Sequence, residues 1–174
     1  MKNEKLIQQF KECGAIKFGQ FVLTSGAISD YYIDIKKAST EPKILKQIAQ
    51  KMSEYTKGYD ILAGMELGAV PLVVALALET GIPYVIIRKE KREHGTGNQI
   101  EGGEVKGKKI LIIEDVATSG GSVVKTVQIL REKNAEVEKV LVVVDREAGA
   151  REQLKKLEIE FIPLISVSEI LKKK

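Results

Sequence analysis

The sequence predicts an α/β fold in which a central, mainly parallel β-sheet is flanked by helices. Three observations lead to that expectation. Short, almost continuously apolar runs alternate with segments of helical periodicity, the pattern of parallel strands buried on both faces. The unusual polar and small residues collect just after those runs, at the carboxyl ends of the strands, where ligands bind in such sheets. Finally, 174 residues, 44% of them hydrophobic, suffice for one sizeable core. No repeat, low-complexity tract or linker marks a second domain, so residues 1–174 are expected to form one.

Each element follows from its own pattern. Apolar residues at helical spacing from Leu6 to Phe10, with Ile7 alongside, predict an N-terminal helix that stops at Gly14. FGQFVLTSG and DYYIDIKKA, rich in β-branched and aromatic residues, predict a small hairpin around the turn-forming TSGAIS. Ile44, Ile48 and Met52, four apart, predict a helix over Glu41 to Tyr55, with Pro42 in the first turn where its missing N–H costs little. YDILAG, MELGAV, PLVVALALET and IPYVIIR then read as strand, loop, helix and strand. KKILIIED, ATSGG, SVVKTVQILREK and VEKVLVVVD repeat the scheme, and IEFIPLIS with VSEILKKK adds a strand and a short helix.

Composition narrows the function. The net charge is +4 and the pI is near 9.0, but Lys and Arg are interleaved with Asp and Glu along the chain. A small polyanionic ligand suits that spread better than nucleic acid. No apolar run approaches the roughly 20 residues that cross a bilayer, and MKNEKLIQQF has no signal-peptide core, so a soluble, cytoplasmic protein without a membrane partner is expected. Cys13 is the single cysteine; it excludes an internal disulfide and by itself forms no thiolate metal site.

The densest signal runs from Ile110 to Ser122, ILIIEDVATSGGS: an apolar strand, two adjacent acids, then a loop of small residues opening a helix. Ala117, Thr118, Ser119, Gly120, Gly121 and Ser122 carry little bulk, so their N–H groups can approach a phosphate, helped by the partial positive charge of the helix start. The spacing is neither that of a Walker A loop nor that of a dinucleotide fingerprint. Glu114 and Asp115, on opposite sides of the strand end, suit sugar hydroxyls or a metal rather than the phosphate itself.

IIEDVATSGGS resembles the phosphoribosyl pyrophosphate (PRPP) signature of the type I phosphoribosyltransferases. That resemblance runs from about Phe18 to Gly149. It implies the type I phosphoribosyltransferase fold, with a small N-terminal hood built from about residues 1–40 and the C-terminal segment. It also implies that Glu114 and Asp115 hold the ribose, that Val116 to Ser122 belong to the PRPP site, and that Asp115 takes part in catalysis. Mg²⁺ would be held near Glu114 and Asp115 mainly by PRPP and water, with no fixed protein ligand.

Between about residues 88 and 107 lies a stretch with many charges, several glycines and the only histidine. A loop this long is usually functional or disordered. Arg88, Lys89, Lys91, Arg92 and His94 could neutralise a leaving pyrophosphate, and closure would exclude water. The stretch resembles the mobile catalytic loop of the orotate phosphoribosyltransferases, which carries an Arg-Lys pair, a further Lys and a His and reaches into the neighbouring subunit. A homodimer sharing that loop is therefore implied, with Arg88, Lys89, Arg92 and His94 on PRPP. Counting from the Arg-Lys pair, the further Lys falls on Arg92, with Lys91 one place earlier. Because Arg does not deprotonate in proteins, Lys91 and Arg92 both stand as catalytic candidates beside His94.

Three segments bear on the base. FGQFVLTSGAISDYYIDIK is similar to the family's hood, with Tyr31 and Tyr32 as stacking candidates for orotate; Thr24 stands where relatives have Lys. AGMELGAVPL resembles the pyrophosphate loop, in which Glu66, Leu67 and Gly68 would bind PRPP through backbone N–H groups, with a cis peptide in the Glu66-Leu67 region. A strand-to-helix turn tightened by Gly68 accounts for these residues almost equally well. VVVDREAG sets Arg146 at a strand end, and a guanidinium can grip a carboxylate with two parallel hydrogen bonds. By resemblance Arg146, with Thr118, orients orotate.

The activity so implied is orotate phosphoribosyltransfer, a pentosyltransferase reaction that converts orotate and PRPP to orotidine 5′-monophosphate and diphosphate in pyrimidine (UMP) biosynthesis. The alternatives are a phosphoribosyltransferase acting on a purine or another base, or a regulator built on the same fold.

Overall fold

The computed structural model describes residues 3–22, 28–90 and 98–172. Helix α1 (Glu4–Glu12) buries Leu6, Ile7 and Phe10 along one face, as its spacing predicts. Strands β1 (Ile16–Val22) and β2 (Ile28–Ile33) form the expected antiparallel hairpin; its connecting turn, with Thr24, lies outside the described residues. The second half of DYYIDIKKA departs from the expected extended form. Residues Ile35–Ser39 make a short helix, α2, because Ile35 and Ala38, three apart, both turn into the core.

Helix α3 (Pro42–Ser53) starts on its proline and buries Ile44, Ile48 and Met52. Strand β3 (Ile61–Met65), helix α4 (Val70–Thr80) and strand β4 (Tyr84–Ile87) follow. The next segment holds an element the periodicity does not show: β5 (Ile100–Gly102), three residues paired antiparallel to β4. Strand β6 (Lys109–Ala117), helix α5 (Gly121–Glu132) and strand β7 (Glu136–Asp145) repeat the crossover. An unpredicted helix α6 (Ala150–Lys156), which buries only Ala150 and Leu154, precedes β8 (Glu160–Ser166). Helix α7 (Val167–Leu171) opens on a capping box between Ser166 and Glu169. Among the described residues no helix is long and apolar enough to cross a membrane.

The larger sheet has the order β5-β4-β3-β6-β7-β8 and is parallel throughout except at β5. Alternation along β6 serves two cores. Leu111 and Ile113 join the cluster built with α1 to α4, whereas Ile110 and Ile112 join the cluster that includes Val123, Val127 and Leu154 of α5 and α6. Each fully buried side chain of this size contributes about 1.5–3 kcal/mol. Val167 and Ile170 of α7 share a cluster with Leu6, Ile7 and Phe10, which ties the C-terminal segment to the hood side. The architecture delivers the carboxyl ends of β3, β6 and β7 to one edge, where the small and charged residues sit.

Candidate active site

At the end of β6 the two acids part. Glu114 is buried, only 6% exposed; its Oε2 accepts the Ser122 hydroxyl at 3.1 Å and its Oε1 accepts the Asp115 amide at 3.0 Å. Burial, then the neighbouring Asp115, raise its pKa from an ordinary 4.5 to about 8. Asp115 turns to the other side. A Cβ on Gly68 would lie 2.2 Å from its Oδ2, so the backbone of the loop after β3 packs directly on this carboxylate and only glycine fits. The arrangement is that of two acids with separate partners, one tied to α5 and one facing the loop after β3.

The loop between β6 and α5 is shaped as an anion cradle. Gly120, the N-cap of α5, has φ +86, and a Cβ there would meet the Cα of Ala150 at 3.0 Å. No side chain caps this helix start, which leaves the N-terminal amides and the exposed Thr118 and Ser119 facing outward. The cradle is pinned from β7 and α6, since the Arg146 amide donates to the Ala117 carbonyl at 2.9 Å and the Ala150 amide to the Thr118 carbonyl at 3.1 Å.

After β3, the Glu66-Leu67 peptide is cis, as the resemblance implies. The Glu66 carboxylate accepts the Lys89 amide at 2.9 Å, and the Lys125 ammonium donates to the Lys89 carbonyl. Lys89 is thus held from both the β3 loop and α5. Arg88 pairs with Glu101 on β5 at 3.7 Å. Lys91, Arg92 and His94 lie outside the described residues.

The hood reaches the site through its aromatic residues. Arg146 stands with its guanidinium 5.3 Å from the ring centroid of Tyr31, and Tyr32 packs on Phe21 at 5.6 Å. Asp145, buried with its pKa raised by burial, pairs with Arg151 at 3.8 Å and accepts the Glu147 amide. Arg146 is therefore turned to the hood while Arg151 serves the neighbouring acid.

The structure also adds residues that sequence reasoning missed. The side chains of Glu66 and Lys125 hold the Lys89 backbone, and Lys36 on α2 pairs with Asp34 at 3.3 Å.

Comparison with known proteins agrees with this geometry. The phosphoribosyl transferase domain family matches residues 34–165. An orotate phosphoribosyltransferase of Pyrococcus horikoshii is 53% identical over 99% of this chain and 94% of its own length. The crystal structure of orotate phosphoribosyltransferase from Aeropyrum pernix is 31% identical with a TM-score of 0.87, over 97% of both chains. The Mycobacterium tuberculosis orotate phosphoribosyltransferase solved in complex with PRPP gives 26% identity and a TM-score of 0.81, over 98% of this chain and 99% of that one. Sharing its fold and nearly its full length with these proteins, the chain belongs to the orotate phosphoribosyltransferases of the phosphoribosyl transferase family.

Proposed function

We propose that this chain, acting as a single domain in the cytoplasm, transfers a ribose 5-phosphate group from PRPP to N1 of orotate, giving orotidine 5′-monophosphate and diphosphate. The observation that carries the choice of base is the Arg146 guanidinium, turned to Tyr31 beside the phosphate cradle rather than paired with the adjacent Asp145. A cation stacked on an aromatic ring can present its fork to the carboxylate of orotate, while Tyr31 and Tyr32 cover the ring face.

In this reading the bond from C1 to the diphosphate oxygen breaks, the diphosphate leaves with the electron pair and takes up the N1 proton, and N1 of orotate bonds to C1. Positioning and charge stabilisation supply the catalysis, with no covalent nucleophile. The amides and hydroxyls of Val116 to Ser122 hold the 5′-phosphate, and Glu114 and Asp115 hold the ribose hydroxyls. The backbone of Glu66, Leu67 and Gly68 meets the diphosphate. Arg88 and Lys89, with Lys91, Arg92 and His94 contributed across a homodimer, neutralise the leaving group. Thr118 and Arg146 orient orotate.

Mg²⁺ fits this donor set, because the nearby side chains Glu114 and Asp115 offer oxygen ligands. When bound with PRPP it supplies charge neutralisation on the diphosphate. The protein's own part is to hold the ribose beside it.

The test offers purified protein PRPP, Mg²⁺ and a panel of bases: orotate, uracil, adenine, hypoxanthine and xanthine. Turnover of orotate alone supports the reading. Turnover only of a purine leaves the phosphate cradle in place and overturns the base assignment; no turnover despite tight PRPP binding points to the regulator.

A further inference from the structure

Lys36 opens α2 directly after the hood hairpin, and α2 packs on β6, the strand that carries Glu114 and Asp115. Its ammonium lies 3.3 Å from Asp34 Oδ1, and its side chain is 55% exposed. Partial burial works against the charge, but Asp34 and then Asp115 outweigh it and hold the pKa above the ordinary lysine value; Tyr32 acts in the same direction. The ammonium therefore stands within electrostatic reach of both the hood tyrosine proposed to cover the base and the acid proposed to hold the ribose.

The loop after β3 brings no cation to Asp115. Its residues are Glu66, Leu67, Gly68 and Ala69, and Gly68 packs on that carboxylate so closely that no side chain fits there. The neighbouring Lys37 does not substitute, because it points the other way: its Nζ is 3.0 Å from where a Cβ on Gly14 would be. An ammonium has three donors, and a single carboxylate at 3.3 Å leaves donor capacity for a ligand. A diphosphate, with several negative charges, is the stronger partner for a half-exposed lysine.

We infer that Lys36 is a further donor-binding residue, which engages the diphosphate of the phosphoribosyl donor from the hood side, with Asp34 positioning its ammonium. This rests on the function proposed above and extends it to a residue outside both the phosphate cradle and the basic loop. Product diphosphate shares the contact, whereas ribose 5-phosphate, which lacks the diphosphate, does not.

The experiment measures binding of PRPP, diphosphate and ribose 5-phosphate by calorimetry with Mg²⁺ to the full chain and to Lys36→Ala, Lys36→Arg and Lys37→Ala. Initial rates give KM for PRPP and for orotate. In Lys36→Ala, affinity for PRPP and diphosphate should fall about tenfold or more, the scale of one charge-assisted hydrogen bond. Ribose 5-phosphate affinity and the KM for orotate should stay within about twofold. Lys36→Arg should recover most of the loss, and Lys37→Ala should match the parent. If Lys36→Ala melts before binding can be read, Lys36→Gln is measured against the same criteria. PRPP affinity unchanged in the variant, or an equal loss for ribose 5-phosphate, overturns the assignment. A parent protein that binds no PRPP fails at an earlier step, and overturns the proposed function together with this inference.

Discussion

The guanidinium of Arg146 lies 5.3 Å from the centroid of the Tyr31 ring, so a residue at the end of β7 meets one from the hood strand β2. This contact joins the hood to the sheet at the place where the base is proposed to bind. A cation over an aromatic face contributes about 0.5–2 kcal/mol, the larger value where water is excluded. Tyr31→Phe keeps the ring and should leave the KM for orotate within about threefold of the parent. Tyr31→Ala removes the ring and should raise it by about tenfold or more, with the KM for PRPP little changed. Steady-state kinetics with each substrate varied in turn distinguishes the two outcomes.

Glu114 should give folding stability a slope with pH. Its pKa in the folded protein is raised to about 8 from an ordinary 4.5. Between those values the folded chain binds a proton that the unfolded chain has released, so stability declines as pH rises through the window and levels off above it. A loss of 1 kcal/mol lowers the melting midpoint of a domain of this size by about 2–4 °C. The midpoint should therefore fall by several degrees between pH 5 and pH 9, and Glu114→Gln should flatten that slope. Calorimetric melts across the range decide it, and a variant as steep as the parent would show that Glu114 does not titrate there.

How much of this was legible in the sequence follows from which contacts are local. The acids and cradle from Glu114 to Ser122 are contiguous, so their strand-loop-helix context could be read directly. Arg146 could be read as a lone cation at a strand end. Its meeting with Tyr31 and the packing of Gly68 on Asp115 depend on separate chain segments that the fold brings together. Sequence spacing is silent on such contacts. Strand β5, only three residues long, and helix α6, with two buried positions, were too short for periodicity to reveal. The helix at Ile35–Ser39 was read as extended because its aromatic and β-branched neighbours dominate the window, whereas packing of Ile35 and Ala38 decided the outcome.

Gly68 should tolerate no side chain. A Cβ there would stand 2.2 Å from Asp115 Oδ2, so Gly68→Ala must displace either the β3 loop or the carboxylate. Overpacking of this kind costs about 1–3 kcal/mol, and if the loop gives way, kcat/KM for PRPP should fall by about tenfold to a hundredfold. Gly103, with nothing within 4 Å of an added Cβ, is the control: Gly103→Ala should change stability by less than about 0.5 kcal/mol. Thermal melts and PRPP kinetics on both variants test the pair.

Chelation should abolish turnover if Mg²⁺ neutralises the diphosphate. Excess EDTA is expected to stop orotate consumption and restored Mg²⁺ to recover it, while the melting midpoint of the protein without substrates stays unchanged. A midpoint that drops with EDTA would instead reveal a structural metal.

Whether Arg146 reads the orotate carboxylate is decided by comparing orotate with uracil, which lacks that carboxylate, in the parent and in Arg146→Ala. The parent should favour orotate strongly, and the variant should lose about 10–100-fold in kcat/KM for orotate, the range of a charge-assisted contact of about 1.5–3 kcal/mol. Uracil turnover should be nearly unchanged. Equal losses for both bases, or an undiminished preference for orotate in the variant, would contradict it.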